Sequence, residues 1–369
     1  MYFKVDILFK IGYYDNRGDD MNYMEYIKKY GNMSFLEKPF NEIDASIFSL
    51  IAYMNLGNND GFLKELLKNY ISSCSNKQYY RINHKNRLLI ELANLLIDCD
   101  RYKDIYVSDI VSKITLNEQF KALSFRVNNM LIVSFEGTDE TLIGWEEDMA
   151  LSYSFPVVAE TDAMNYINRV VRFCDKKVYI TGHSKGGHLA LIAGMYSNIF
   201  TKMNLKKIYS FDGPGLNDKQ LNSWKYKSIE KKFYHFVPDY SLIGMLLKHK
   251  KIYVVKGTRK DTKCHSLFSW IIDDDHFEEG TLSNQSTRLY SSINSWLEHH
   301  NVYERENISK EIFRVFRTAG LVYYQDLYKI KNIIKILMNS RNMDKYTIRL
   351  LKEFIQYNLS EITKKDTNS

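Results

Sequence analysis

The run Gly182-His183-Ser184-Lys185-Gly186 is where residue type and spacing point most directly to chemistry. A serine with glycines two before and two after it suits a sharp strand-to-helix turn. The strained turn presents the hydroxyl, and only small flanking residues avoid a clash. The surroundings fit: Val178-Tyr179-Ile180 reads as a buried strand, and Gly187 to Asn198 reads as a helix. Gly186, Ala190 and Gly194 recur every four residues, which leaves one helical face nearly bare and able to lie close on a sheet. A serine hydroxyl is a weak nucleophile until a base takes its proton. Lys185 is adjacent to the serine rather than one helical turn away, so its side chain is not placed to be that base. Its backbone N–H is instead expected to be the first donor to a developing oxyanion.

Nine histidines compete for the role of base. When acid and base sit at the ends of later strands, the chain order is serine, carboxylate, histidine. Asp239 lies just past a strand ending near Phe236, and His265 lies in the loop after a strand at Lys251 to Val255. Those two are therefore expected as orienting acid and base. Asp212, in Phe211-Asp212-Gly213-Pro214-Gly215, is the alternative acid one strand earlier, and His276 is a second candidate base. His183 and His188 flank the turn and read as structural, His235 falls inside a strand, and His249 in a Lys-rich segment reads as exposed. A second oxyanion donor is expected after the strand Ile132 to Phe135, from the backbone of Thr138 or Asp139. No HExxH or comparable ligand pair occurs, so no metal and no cofactor is expected.

The elements that must position these residues alternate strand and helix. Ile43, Ile47, Leu50, Ile51 and Met54 share a helical face, with Asn41 as N-cap. Arg87 to Asp98 reads as a helix, and so does the segment around Tyr106 to Leu116. Phe120 to Val127 and Met130 to Phe135 read as a hairpin turned at Asn128-Asn129. A helix at Asp162 to Cys174 precedes the strand at Lys177 to Thr181. Later strands are expected at Lys207 to Phe211, Lys232 to Phe236 and Lys251 to Val255. This rhythm predicts an α/β fold with a largely parallel central sheet covered by helices on both faces. Beyond Asn301 only helical patterns appear, at Ile308 to Phe316, Leu321 to Met338 and Lys345 to Tyr357. The division expected is residues 1–300 as one α/β domain with an N-terminal helical segment, and 301–369 as a helical extension.

Composition narrows the class. The 369 residues are 45% hydrophobic and include 28 Tyr and 20 Phe, which supports a large buried core and argues against disorder. Four cysteines without CxxC spacing suggest neither a disulfide scaffold nor a zinc site. The apolar run at Met1 to Lys10 is too short and interrupted for a secretory signal, so a cytoplasmic location is expected. The net charge of +7 is uneven: Lys248 to Lys263 holds seven basic residues against Asp261, and the tail from Asn301 holds 13 basic against 8 acidic. No nucleic-acid motif accompanies this charge, and nucleic acid is not expected as a partner. The first reading of the charge is an ordinary solvated lysine-rich surface, and peripheral attraction to an anionic membrane is the alternative kept beside it.

Phe135-Glu136-Gly137-Thr138 followed by Trp145 and Asp148, together with Gly182 to Gly187, resembles the corresponding blocks of class 3 lipases. Over roughly residues 21–300 the chain more closely resembles an uncharacterised bacterial family of lipase-like α/β hydrolases. The blocks are Gly137 to Thr141, Gly144 to Asp148, Gly182 to Gly187, Asp212 to Gly215, Val237 to Leu246, and His265 with Trp270. The resemblance implies an α/β-hydrolase fold, Ser184 as nucleophile, Asp239 as acid, His265 as base, Thr138 in the oxyanion loop and Asp148 bracing that loop. Glu136 departs from the pattern, which has Arg there, and Lys185 replaces a leucine. The implied activity is serine-dependent hydrolysis of esters or lipid-like substrates. The alternatives are a hydrolase-like scaffold binding a lipid surface or partner, and an acyltransferase.

Overall fold

The computed structural model describes residues 22–75, 84–114, 119–138, 142–260 and 262–322, with a few isolated positions beyond. Leading helices are α1 (Asn22–Tyr30), α2 (Glu42–Ile51), α3 (Leu63–Ser75), α4 (His84–Ile97) and α5 (Asp100–Lys103). Strand β1 (Gly61–Phe62) lies between α2 and α3, and β2 (Tyr106–Ile114), β3 (Gln119–Val127) and β4 (Met130–Phe135) follow α5. Helices α6 (Leu142–Ala150) and α7 (Val158–Val170) lead to β5 (Lys177–His183), α8 (Lys185–Tyr196), α9 (Ile199–Asn204) and β6 (Leu205–Phe211). Then come α10 (Asp218–Leu221), α11 (Trp224–Lys227), β7 (Phe233–Pro238) and β8 (Tyr253–Val255). A two-stranded ribbon of β9 (Ile272–Asp273) and β10 (His276–Phe277) precedes α12 (Asn284–His299) and α13 (Val302–Thr318).

Strands β1 to β8 form one sheet in sequence order. Pairs from β1 to β4 are antiparallel, and pairs from β4 to β8 are parallel. Side chains alternate across it, as strand geometry requires. Leu131, Val133, Val178 and Ile180 pack on one face against α7 and α8, while Ile132, Phe125 and Phe211 pack on the other with α1 to α4. Gly194 of α8 lies directly over Ile208, so the bare helical stripe does rest on the sheet. The N-cap of α2 is Asn41, whose side chain accepts from the Ile43 and Asp44 amides. Helices at Arg87 and beyond, the 128–129 hairpin and the later strands fall where the sequence places them, with boundaries shifted by a few residues. Candidates beyond Val322 lie largely outside the described residues.

One expectation is overturned. The segment Tyr106 to Leu116 is not a helix; its Tyr106–Ile114 part is strand β2, paired with β3. The register slips between Ser108 and Val111, where Asp109 takes a φ of 56°. That bulge breaks the alternation of inward and outward residues and leaves an apolar spacing that imitates a helix. Among the described residues no helix is long and apolar enough to cross a membrane.

Candidate active site

The parallel strands β4 to β7 end at one edge of the sheet, and the candidate residues gather there. Ser184 joins β5 to α8 with φ 58° and ψ −133°, a strained conformation for a residue with a side chain. The surroundings hold it: the Ser184 amide donates to the Phe211 carbonyl at 2.8 Å. A Cβ at Gly182 would lie 2.1 Å from the Gly186 carbonyl oxygen, and one at Gly186 would lie 2.2 Å from that of Phe135. Neither position tolerates any other residue without moving backbone. As the first residues of α8, Lys185 and Gly186 have backbone N–H groups without intrahelical acceptors.

His265 sits in a 3-10 turn at Thr262–His265, with its Nδ1 2.6 Å from Asp212 Oδ2. Asp212 is fully buried just past β6, at φ 50°. Its other oxygen, Oδ1, accepts from Ser241 Oγ at 2.5 Å and from the Gly244 amide at 3.0 Å. A carboxylate oxygen accepts, so Nδ1 is the donor in this contact, and in the neutral ring Nε2 is then the acceptor.

Asp239, the expected acid, does not touch His265. Its Oδ1 accepts from the Tyr240 amide at 3.0 Å, the Gly257 amide at 3.3 Å and Cys264 Sγ at 3.5 Å. Its carbonyl accepts from the Ser283 amide, which ties the end of β7 to the start of α12. The physical reason for the exchange is the turn after β6. At positive φ the chain doubles under the His265 loop, which brings the alternative acid Asp212 beneath the imidazole. Asp239 is spent on closing the loop that carries His265.

Other histidines make different contacts. His183 is buried, accepts from the Tyr53 hydroxyl at Nδ1 (2.9 Å) and donates from Nε2 to the His265 carbonyl (2.7 Å). Burial, and after it the nearby His265, holds the His183 ring well below its ordinary pKa. Its ring lies 4.5 Å from that of His265. His188 is buried between Glu160, at 2.8 Å, and the Gly215 carbonyl. His249 is not the exposed residue its Lys-rich neighbourhood suggests: its ring stacks on His235 at 4.3 Å and burial lowers its pKa. His276 is half-exposed beside Asp273 and Asp275.

The Thr138 and Lys185 side of the elbow is braced by charge. Thr138 Oγ1 donates to Asp148 Oδ2 at 2.5 Å, and among the described residues the second, buried oxygen of Asp148 has no hydrogen-bond partner. Burial pushes the Asp148 carboxyl up, against the pull of nearby Lys185. Lys185 itself is buried, and its Nζ donates to Glu147 Oε2 at 2.5 Å and to the Gln119 carbonyl at 2.9 Å. Glu147 Oε1 in turn accepts from the Ala159 amide at 2.9 Å. This ion pair joins the first residue of α8 to α6, α7 and the edge of β3. Glu136, which stands where the lipase pattern has Arg, lies 3.8 Å from the partly buried Lys121 on the neighbouring strand. The cation is thus supplied from β3. Asp139, the other candidate for the second oxyanion amide, lies outside the described residues.

Two contributors escaped the sequence. Tyr53, from the turn after α2, reaches the site so closely that a Cβ on Gly137 would meet its hydroxyl at 2.2 Å and Ser184 Cβ at 3.0 Å. No spacing rule links a residue 131 positions before the serine to it. Glu147 lay in plain view in the Gly144 to Asp148 block, and only the burial of Lys185 reveals its use.

A family model described as Mbeg1-like matches residues 96–314. No curated protein matches significantly. Among solved structures, the chain is similar to the native Rhizomucor miehei lipase propeptide complex. Identity is 16%, with a TM-score of 0.33, covering 55% of this chain and 68% of that one. It is also similar to a fungal lipase–inhibitor complex, at 15% identity and TM-score 0.33, covering 59% of this chain and 82% of the other.

Proposed function

We propose that this chain, which belongs to the Mbeg1-like family, is a serine hydrolase that cleaves carboxylic esters through Ser184, His265 and Asp212. The observation that carries this reading is the 2.6 Å contact of His265 Nδ1 with buried Asp212, taken together with the strained elbow geometry of Ser184. Asp212 fixes the imidazole tautomer, so that Nε2 faces the reaction as a base. Among the described residues Ser184 Oγ makes no hydrogen bond, which leaves the hydroxyl able to turn toward Nε2 when an ester enters.

Ser184 Oγ attacks the ester carbonyl as its proton passes to His265 Nε2. The oxyanion is held by the Lys185 backbone N–H and by Thr138, whose side chain is fixed on Asp148. Collapse expels the alcohol, which takes the proton from Nε2, and water releases the acid from the acyl-enzyme by the same steps reversed. The Lys185–Glu147 pair keeps the donor end of α8 from shifting as charge develops. A cytoplasmic location stays part of this proposal, as does the absence of any cofactor.

The test is covalent labelling by a fluorophosphonate, followed by turnover of short p-nitrophenyl esters. Wild type is expected to label and turn over, and Ser184→Ala to do neither. Equal labelling of both would remove Ser184 from the chemistry.

A further inference from the structure

The opposite end of the sheet carries a different kind of surface. Three segments lead into the N-terminal ends of β5, β6 and β7: residues 172–177, 198–207 and 222–232. Together they hold ten Lys or Arg and two acids, Asp175 and Glu230. Asp175 is buried beside Arg126 at 3.5 Å, and Glu230 lies 3.5 Å from Lys250, so neither offsets the exposed charge. Among the described residues none of Lys176, Lys202 and Lys225 pairs with a carboxylate.

Large apolar side chains stand out between these lysines. Phe173 is 80% exposed, Ile199 74%, Met203 73% and Trp224 69%. They form one continuous strip. Phe173 stacks on Phe200 at 5.9 Å, and Lys176 lies over the Phe173 ring at 4.2 Å. Lys202 and Lys225 lie 5.1 and 5.0 Å from the Trp224 ring. Burial and then the Lys225 charge hold the Lys202 ammonium below its usual range. Four exposed apolar residues on adjacent turns would be costly in water, and single scattered ones are what an ordinary surface shows.

By contrast, three of the seven basic residues in the run conspicuous in the sequence, Lys248 to Lys263, meet acids. Lys248 meets Asp218 and Glu298, Lys250 meets Glu230, and Lys256 meets Glu278.

We infer that the strip of Phe173, Ile199, Met203 and Trp224, framed by Lys176, Lys202 and Lys225, docks on the surface of an anionic phospholipid bilayer. Apolar and aromatic side chains enter the headgroup boundary while the lysines meet lipid phosphates and carboxylates. Exposed aliphatic side chains beside the rings, Ile199 and Met203, fit a lipid interface better than a nucleic-acid backbone, which asks for stacking rings and phosphate contacts. Each residue of strand adds about 3.3 Å, so the seven residues of β5 put this strip roughly 20 Å from Ser184. Docking there holds the chain on a membrane with Ser184 turned away from it. The inference does not depend on the proposed chemistry.

The experiment is co-sedimentation of the full chain with sucrose-loaded vesicles. Phosphatidylcholine alone is compared with phosphatidylcholine containing 30% phosphatidylglycerol, at about 0.1 M salt. Binding is expected on the anionic vesicles and is expected to fall steeply with added salt. One lysine near such a surface is worth about fivefold. The triple variant Lys176→Glu, Lys202→Glu, Lys225→Glu is therefore expected to bind at least about 100-fold more weakly. The double variant Phe173→Ser, Trp224→Ser is expected to lose about tenfold, with salt dependence kept. Unchanged thermal unfolding checks that these surface changes leave the fold intact. The inference is overturned if wild type ignores anionic vesicles, if well-folded variants bind as wild type does, or if duplex RNA is bound while vesicles are not.

Discussion

Asp212 and Asp239 end neighbouring strands of one sheet and face the same loop, yet they do opposite jobs. Asp212 is sealed from water, gives one oxygen to His265, and spends the other on Ser241 and the Gly244 amide. Asp239 is partly open and gathers two amides and a thiol from the loop between β7 and His265. One carboxylate orients a ring and the other shapes the loop on which that ring is mounted. The difference is one of direction, not of residue type. It teaches that the acid of such a site is found by asking which carboxylate has an imidazole among its donors.

The largest effect that can break this comparison is Asp212→Asn. The amide side chain can turn either group toward Nδ1 and so no longer fixes the tautomer. A fall in kcat of about 10⁴-fold on a short ester is expected, with KM little changed. Asp239→Asn, assayed beside it, is expected to stay within about threefold of wild type. If the two losses were exchanged, the orienting acid would be Asp239 after all.

Acid tests the Asp212 side of the comparison through a buried histidine. His235 Nε2 donates to the carbonyl of Gly244, whose amide holds Asp212. The ring is fully enclosed, and burial lowers its pKa to about 4. An unfolded histidine takes its proton near 6.5. Stability from the neutral ring is therefore complete above about pH 6.5 and is lost as pH falls toward 4. A gap of this size corresponds to about 3 kcal/mol. Burial pushes His183 and His249 in the same direction. Urea unfolding at pH 7 and at pH 4.5 is expected to show the loss. His235→Gln, which keeps a donor for Gly244, is expected to flatten the pH dependence.

How much of this was legible in the sequence depends on whether a feature is local. Ser184, its flanking glycines and the bare face of α8 follow from steric limits within a dozen residues, and the helix N-cap at Asn41 is equally local. The choice between Asp212 and Asp239 rests on a turn at positive φ and on where a 3-10 loop 53 residues later comes to lie. Strand-counting cannot resolve that. The Tyr106 segment failed for a related reason, because one bulge changes the period a reader relies on. Lys185 shows a third kind of limit: its buried pairing with Glu147 depends on α6 folding back over the elbow.

Asp239→Ala sharpens the comparison from the other side. It leaves the Tyr240 and Gly257 amides and the Cys264 thiol without their acceptor. A stability loss of about 1–3 kcal/mol is expected, read from denaturant midpoints. The activity that remains should belong to the folded fraction, with an unchanged KM. A loss of kcat far beyond the folded fraction would mean that Asp239 acts on His265 through the loop.

The smallest expected effect isolates that loop. Burial pushes the Cys264 thiol up to about 12, so it stays protonated and can donate to Asp239. Cys264→Ser replaces a weak S–H donor by a stronger but shorter O–H one, and the gain in hydrogen bonding opposes the loss of sulfur packing. The net shift is expected within about 1 kcal/mol in either direction, with kcat unaltered. Cys264 immediately precedes His265 and its carbonyl accepts from the indole of buried Trp270 at 2.9 Å. The main chain under the imidazole is therefore held from both sides of the thiol. If so conservative an exchange lowered kcat tenfold, then the Asp239 side of the loop would be setting the imidazole as directly as Asp212 does, and the division of labour between the two carboxylates would fail.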